Sequence, residues 1–371
     1  MMKLKLIEIL ILLLMALALQ ARVSAIEIQT HSLLSQKASS TLNFKVALPS
    51  GFNNKKAYPV LYTTAGGSRF DSFVHQVNWL SHVTMGPLPQ FIIVNVPQVT
   101  VESDMHPKYM AASGIANTLQ LAVLEHEILP FIEAHFKTED FRLLEGYSSN
   151  GNFVFYTYLT RNTLFDGYFV HSPALELDQS GLITQSNNSH LLTKNAKPMY
   201  LSLGPFVNNR ALFQTIQANL SKVKSARFED LSQHNFLSVA TVSLNASIEW
   251  FFADLSPDLA LFTAQGLPSV KAYYQELELK YKKPIDASTS LIDLSFYYAQ
   301  HGQAQQALDV IDVVIKGQPN SVFYLTRKAL ILKTLGQIVQ SKDAFEQAKI
   351  VAFKNQDQDA LSFINGELAK L

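Results

Sequence analysis

The 371 residues hold thirty Lys+Arg against thirty Asp+Glu, with charged residues only 16% and hydrophobic residues 48% of the chain. That balance describes a globular protein with material for one large domain and a smaller one, and it excludes an electrostatic partner such as nucleic acid or an anionic membrane surface. No cysteine is present, so neither disulfides nor a lipid attached to cysteine can hold or anchor the chain.

Residues 1–25 read as a secretory signal peptide: Lys3 and Lys5 form a basic start, Ile9 to Leu19 an apolar run, and Val23-Ser24-Ala25 a small-residue cleavage site. The apolar run is shorter than the ~20 residues needed to span a bilayer, so cleavage after Ala25 is expected rather than a membrane anchor. The mature chain would begin at Ile26, in a bacterial periplasm or outside the cell, with no stable membrane span.

From residue 41 to about 255, strand-like apolar runs alternate with helical segments, which predicts, for a domain of residues 26–255, an α/β layer fold with a mostly parallel central sheet. Strands are expected at Thr41–Leu48, Pro59–Thr63, Phe91–Val96, Phe141–Leu144, Gly167–Val170, Met199–Leu203 and Ala226–Leu231. The clearest helix runs from Ala116 to Phe136 on one apolar face, with Pro130 as a candidate kink. Within that helix His126-Glu127 begins like a zinc-binding H-E-x-x-H pattern, but Pro130 stands where the second histidine is needed, so no metal is implied.

The most informative stretch is Phe141 to Gly151 together with the apolar run from Phe153. A short buried strand, a turn carrying Ser148 between Gly146 and Gly151, and a helix are the layout of a serine hydrolase's nucleophile elbow. The usual G-x-S-x-G pattern would place glycine where this chain has Asn150, a residue that tolerates positive φ, so the turn remains open to the chain. Phe153, Phe155, Tyr156 and Tyr158 read as core and helix-face residues, and His171 as a structural histidine.

After Ser256-Pro257 the strand signal ends, and residues 256–371 read as helices only. Gly302 recurs as Gly336, and Ile311 and Val314 recur as Phe345 and Ala348, a 34-residue period that resembles tetratricopeptide helix pairs. Ser341 and Phe353 depart from that pattern, where alanine and proline are usual. Such repeats cannot bury their apolar faces alone and must stack, which leaves a protein partner as a candidate ligand.

Tyr58-Pro59-Val60-Leu61-Tyr62, Leu124 to Glu133, the Ser148 turn and Ser172-Pro173-Ala174-Leu175 resemble the α/β-hydrolase branch that includes esterase D and the enterochelin-type siderophore esterases. The similarity covers roughly residues 30 to 255. It implies Ser148 as nucleophile, in a G-H-S-x-G-G turn where Tyr147 replaces the histidine and Asn150 the middle glycine. The Ser149 amide and the loop holding Ala65 and Gly66 would supply oxyanion donors. The family's base falls on Phe236, counting back from Ser238-Val239, so the base implied is the nearest histidine, His234. Where the family has its acid, after Gly204, no carboxylate follows, and Asp230 and Glu229 are only sequence neighbours of His234. Asp104 and His106 are candidate pocket-wall residues, with His106 a fallback base.

The reading is an exported serine hydrolase that cleaves a small-molecule carboxylic ester through an acyl-enzyme on Ser148, with no cofactor. Its alternative is a catalytically impaired relative acting as a binding or scaffolding module through its helical repeats.

Overall fold

The structure is a computed structural model that describes residues 26–81, 88–99, 114–178, 181–188 and 196–371. The chain divides into two compact units between Ala253 and Asp254.

The first unit is built on an eight-stranded sheet in the order β1-β2-β4-β3-β5-β6-β7-β8. The strands are β1 (Glu27–Ser35), β2 (Ser40–Leu48), β3 (Tyr58–Thr63), β4 (Ile92–Asn95), β5 (Thr138–Tyr147), β6 (Gly167–His171), β7 (Met199–Leu203) and β8 (Ala226–Asp230). β1 and β2 form an antiparallel hairpin, β2 is antiparallel to β4, and every pairing from β4 through β8 is parallel. β3, β6 and β7 are buried at every position, as strands covered on both faces must be.

Two differences from the sequence reading have clear causes. β1 was not expected because its polar residues Glu27, Gln29, His31 and Ser32 fall on both faces and break any apolar alternation; its Ile28, Thr30, Ser32 and Leu34 face is exposed, and its place in the sheet comes from pairing with β2. The 116–136 helix is divided: α2 (Gly114–Val123) and α3 (Leu129–His135) flank a π-helical turn at Leu124–Ile128. The Leu129 N–H reaches back five residues to the Leu124 carbonyl, so the helix widens into a π turn just before Pro130, which cannot donate. Glu127 in that turn accepts from Ser35 Oγ (2.5 Å) and from the Gln36 and Lys37 amides (2.8 and 2.9 Å), which fastens the β1–β2 hairpin to the helix.

α1 (Gly67–Ser81) follows β3, α4 (Ser149–Thr160) follows β5, α5 (Leu182–Asn187) and α6 (Asn208–Asn219) flank β7, and α7 (Phe236–Phe252) follows β8. Phe153, Phe155 and Tyr158 of α4 are buried in the main core, while Tyr156 is partly buried and its hydroxyl meets Thr118 Oγ1 at 3.0 Å. Among the described residues, one segment, Phe236–Thr263, is long and apolar enough to cross a membrane. Its composition is that of a core element, since α7 buries Val239, Leu244, Ile248, Phe251 and Phe252.

The second unit is helical, and its centre repeats with a period of 34 residues. α10 (Ser288–Gln300) and α11 (Ala304–Gly317) are followed at that spacing by α12 (Val322–Thr334) and α13 (Ile338–Lys354); α8 (Ala260–Thr263) and α9 (Leu267–Tyr281) precede them and α14 (Gln358–Leu368) closes the chain. Each pair turns through a positive-φ glycine, Gly302 at 73° and Gly336 at 71°. The following amides bond back alike, Gln303 to the Tyr298 carbonyl (2.8 Å) and Gln337 to the Leu332 carbonyl (2.9 Å). At each crossing a serine faces an alanine with the roles exchanged: Ser295 Oγ donates to the Ala307 carbonyl and Ser341 Oγ to the Ala329 carbonyl, both at 2.8 Å. All four residues are fully buried, which explains Ser341 at an alanine position: it reproduces from the second helix the bond that Ser295 makes from the first.

Candidate active site

β5 is the central strand of the parallel block, and its carboxyl end delivers the chain to Ser148 between Tyr147 and the first turn of α4. Ser148 has φ 60° and ψ −129°, a conformation that costs a residue with a side chain about 1–3 kcal/mol. Three backbone bonds hold it there: Ser148 N–H to the His171 carbonyl (3.0 Å), and the Gly151 and Ala174 amides to the Ser148 carbonyl (2.8 and 3.1 Å). The Ser148 hydroxyl is partly exposed and has no hydrogen-bond partner among the described residues.

The flanking glycines are required by contact. A Cβ at Gly146 would lie 2.6 Å from the Asn150 carbonyl oxygen and 2.9 Å from Thr64 Oγ1, and one at Gly151 would lie 3.1 Å from the Pro173 Cα and 3.2 Å from the His171 carbonyl oxygen. Gly151 therefore supplies the close approach that the pattern's last glycine provides. The turn forms without a positive φ at Asn150: that residue lies in the first turn of α4 with ordinary φ, and the positive φ falls on Ser148 itself. The Asn150 side chain instead joins two loops, donating from Nδ2 to the Thr64 carbonyl (3.2 Å) and accepting from Gln98 Nε2 (2.6 Å).

That bond brings the β3–α1 loop beside the serine turn. The Ser149 N–H, first of α4, and the Gly66 N–H have no partner among the described residues, whereas the buried Ala65 N–H donates to Thr63 Oγ1 (3.0 Å). A cleft of about 390 Å³ opens here, lined by Thr64, Gly66, Asn150, Asn95, Gln98 and Asn43 among others.

His234 lies half-buried in the turn between β8 and α7, on the carboxyl edge of the sheet that also carries Ser148. Its backbone N–H donates to the Leu231 carbonyl (3.0 Å), and its imidazole has no hydrogen-bond partner among the described residues, Ser148 included. Phe236 is the residue brought up to the serine turn: the Tyr147 hydroxyl donates to its carbonyl, its ring lies 5.2 Å from that of Tyr147, and the Phe206 ring meets it edge-on at 5.3 Å.

Neither neighbouring carboxylate orients His234. Asp230 accepts from the Ser232 amide (3.0 Å) and pairs with Arg210 (2.7 Å); the Ser232 bonds and Arg210 hold its pKa at about 2. Glu229 accepts from the Tyr200 hydroxyl (2.7 Å). After Gly204, Asn209 is spent on the Glu176 amide (2.9 Å) and the Pro173 carbonyl (3.3 Å). Asp104 and His106 lie outside the described residues.

One group beneath the site was not anticipated. Glu145, three residues before Ser148 and fully buried, accepts from Thr63 Oγ1 (2.5 Å), pairs with Arg69, and meets His171 Nδ1 at 3.0 Å. Burial alone would raise its pKa, but Arg69, His171 and Thr63 outweigh it and hold it at about 2. His171 is equally buried, and burial lowers its pKa against the pull of Glu145. In a neutral imidazole Nδ1–H donates to Glu145, and Nε2 faces Ser247 Oγ (3.1 Å), whose one proton is shared between Nε2 and the Leu244 carbonyl (2.9 Å). The signal in the sequence was a lone carboxylate inside an otherwise apolar strand end, Leu143-Leu144-Glu145-Gly146.

The topology and the serine turn at the end of β5 place the molecule among the α/β hydrolases. Residues 35–227, more than half of the chain, match the family described as Putative esterase, and the chain belongs to that family of carboxylic ester hydrolases. No curated protein matches the chain. Among solved structures, an uncharacterised protein from Capnocytophaga ochracea is similar with a TM-score of 0.66 at 12% identity, over 93% of this chain and 99% of that one, so its likeness extends into the helical unit. An IroE-like serine hydrolase from Shewanella oneidensis gives 0.57 at 20% identity, over 76% of this chain and 98% of its own. Siderophore hydrolase EstB from Aspergillus nidulans gives 0.50 at 15%, over 62% and 97%. At these identities the likeness is one of fold.

Proposed function

We propose that the protein cleaves a small-molecule carboxylic ester through an acyl-enzyme on Ser148. The observation that carries this reading is the Ser148 conformation, strained, held by three backbone bonds and presenting an unpartnered hydroxyl beside the open amides of Ser149 and Gly66. Ser148 Oγ would attack the ester carbonyl and pass its proton to His234, the amides would stabilise the tetrahedral oxyanion, and the imidazolium would return the proton to the departing alcohol. Water then releases the acid by the same steps in reverse. His234 makes no hydrogen bond to Ser148 among the described residues and neither Asp230 nor Glu229 orients it, so a modest turnover is expected.

The test is labelling with a fluorophosphonate and hydrolysis of a short-chain nitrophenyl ester by the unmodified protein, Ser148→Ala and His234→Ala. Labelling and turnover that vanish in Ser148→Ala support the reading; an unmodified protein that neither labels nor turns over removes it. One observation favours the second reading, a binding module with an impaired site: Phe236, not a histidine, is fastened against Tyr147 at the edge of the nucleophile turn. Under that reading the 34-residue helical repeats carry the function by holding a protein partner, and loss of partner capture on removing residues 288–371 would support it, with Ser148→Ala silent.

Export is part of the proposal. β1 begins at Glu27, two residues beyond the Ala25 cleavage point, so removal of residues 1–25 leaves the sheet complete. Sequencing the amino terminus of protein from a periplasmic fraction should give Ile26; a retained Met1 in the cytoplasm would oppose it.

A further inference from the structure

We infer that Thr63 and Glu145 are positioning residues that select which backbone amides form the oxyanion hole; the inference rests on the ester-hydrolase reading of Ser148. Thr63 ends β3, and its hydroxyl does two things at once. It donates to Glu145 Oε2 (2.5 Å) and accepts from the Ala65 N–H (3.0 Å). The acceptance turns the Ala65 amide into the protein, away from the reacting carbonyl, and the next amide, Gly66, is left facing out with no partner among the described residues. Asn95 Nδ2 donates to the Ala65 carbonyl from β4, so both sides of the Ala65 residue are fixed, and Asn150 Nδ2 holds the Thr64 carbonyl from α4. The oxyanion donors are then Gly66 and Ser149, not Ala65.

Glu145 is what makes this arrangement directional. A hydroxyl has one proton, and a carboxylate that can only accept takes it, so the Thr63 lone pairs must turn to the Ala65 N–H. The carboxylate is itself held on the far side by Arg69 of α1 and His171 of β6, and the Arg69 guanidinium lies over the Tyr147 ring with its carbon 5.1 Å from the centroid. Glu145 lies on the strand that ends at Ser148, and its main-chain carbonyl accepts from the Thr64 amide (3.1 Å). One residue therefore ties the nucleophile strand to the oxyanion loop by main chain and side chain together. A burial of this kind with a fully paired charge is costly to assemble, and a purely apolar strand end would hold the sheet equally well.

The test uses the full chain with Thr63→Val, Thr63→Ser and Glu145→Gln, measuring kcat and KM on a nitrophenyl ester, fluorophosphonate labelling rate, and Tm. Thr63→Val keeps the shape and removes the hydroxyl, and should lower kcat and the labelling rate about 10–100-fold with KM within about twofold, because a displaced oxyanion donor acts on the transition state. Thr63→Ser should restore both rates to within about threefold, and Glu145→Gln should behave as Thr63→Val does. Thr63→Val with unchanged kcat in a protein that turns over overturns the inference alone, as does a Thr63→Ser variant as slow as Thr63→Val. Should Thr63→Val not fold, the comparison of Thr63→Ser with Glu145→Gln decides in the same way. An unmodified protein with neither turnover nor labelling overturns the ester-hydrolase reading and this inference with it.

Discussion

The Tyr147 hydroxyl donates to the main-chain carbonyl of Phe236, so the residue beside Ser148 is bonded to the first residue of α7. That bond, with ring contacts to Tyr147 and Phe206, holds in place the aromatic residue onto which the resemblance puts the family's base. Phe236→His is expected to raise kcat/KM on a nitrophenyl ester by about tenfold or more, since a positioned general base contributes ~10²–10⁴. The pH–rate profile should gain a limb near the ordinary histidine range. An unchanged rate would show that His234 already serves, or that the Phe236 position does not face Ser148.

The glycines around Ser148 should differ in cost. Gly146→Ala drives a Cβ to within 2.6 Å of a backbone oxygen that cannot yield without moving α4, and should cost about 3 kcal/mol or more. Gly151→Ala meets its neighbours at 3.1 and 3.2 Å and should cost about 1 kcal/mol. Denaturant melts of both variants check the order, and equal losses would contradict the packing account.

Acid should weaken the protein in two stages. His171 has a folded pKa below its ordinary value of 6.5, so the unfolded chain takes up the proton first and stability falls as pH drops through that range. Glu145 is depressed from 4.5 to about 2, so its contribution is complete above 4.5 and is lost as pH falls towards 2, a span worth ~3 kcal/mol. Urea titrations between pH 7 and pH 3 should show the decline, and Glu145→Gln should flatten its lower part. A Glu145→Gln variant with the same acid slope as the unmodified protein would rule out this carboxylate as the source.

In the helical unit, Ser341→Ala restores the residue usual in such repeats, yet it should destabilise by about 1 kcal/mol, because it removes the buried bond to the Ala329 carbonyl. Ser295→Ala should cost a similar amount, since its bond to the Ala307 carbonyl is the same contact from the opposite helix. Thermal melts of both variants check this, and a neutral or stabilising Ser341→Ala would mean that packing alone holds the crossing.

The apolar runs of β3, β6 and β7 and the glycine-bounded serine were legible because burial on both faces and a sharp turn each leave a local mark in composition. β1 was hidden, since an edge strand with polar residues takes its conformation from its partner β2. The π-turn before Pro130 was hidden as well: the missing N–H announces a disturbance, but whether a helix kinks or widens depends on what lies against it. Asn150 was noticed for its departure from pattern, and its use as a brace between Thr64 and Gln98 could not be read from its neighbours in sequence.

By itself the sequence determined an α/β hydrolase of the esterase family with a glycine-bounded serine turn at Ser148 and a helical tail repeating every 34 residues, all of them features written in short-range spacing. Only the tertiary structure decided that Ser148 itself takes the bend, that Phe236 rather than His234 is fastened to Tyr147, and that Thr63, Arg69 and His171 meet on Glu145. Those relationships join residues from different strands and helices, and hydrogen bonds across a sheet depend on strand order and register, which a single chain of letters does not encode.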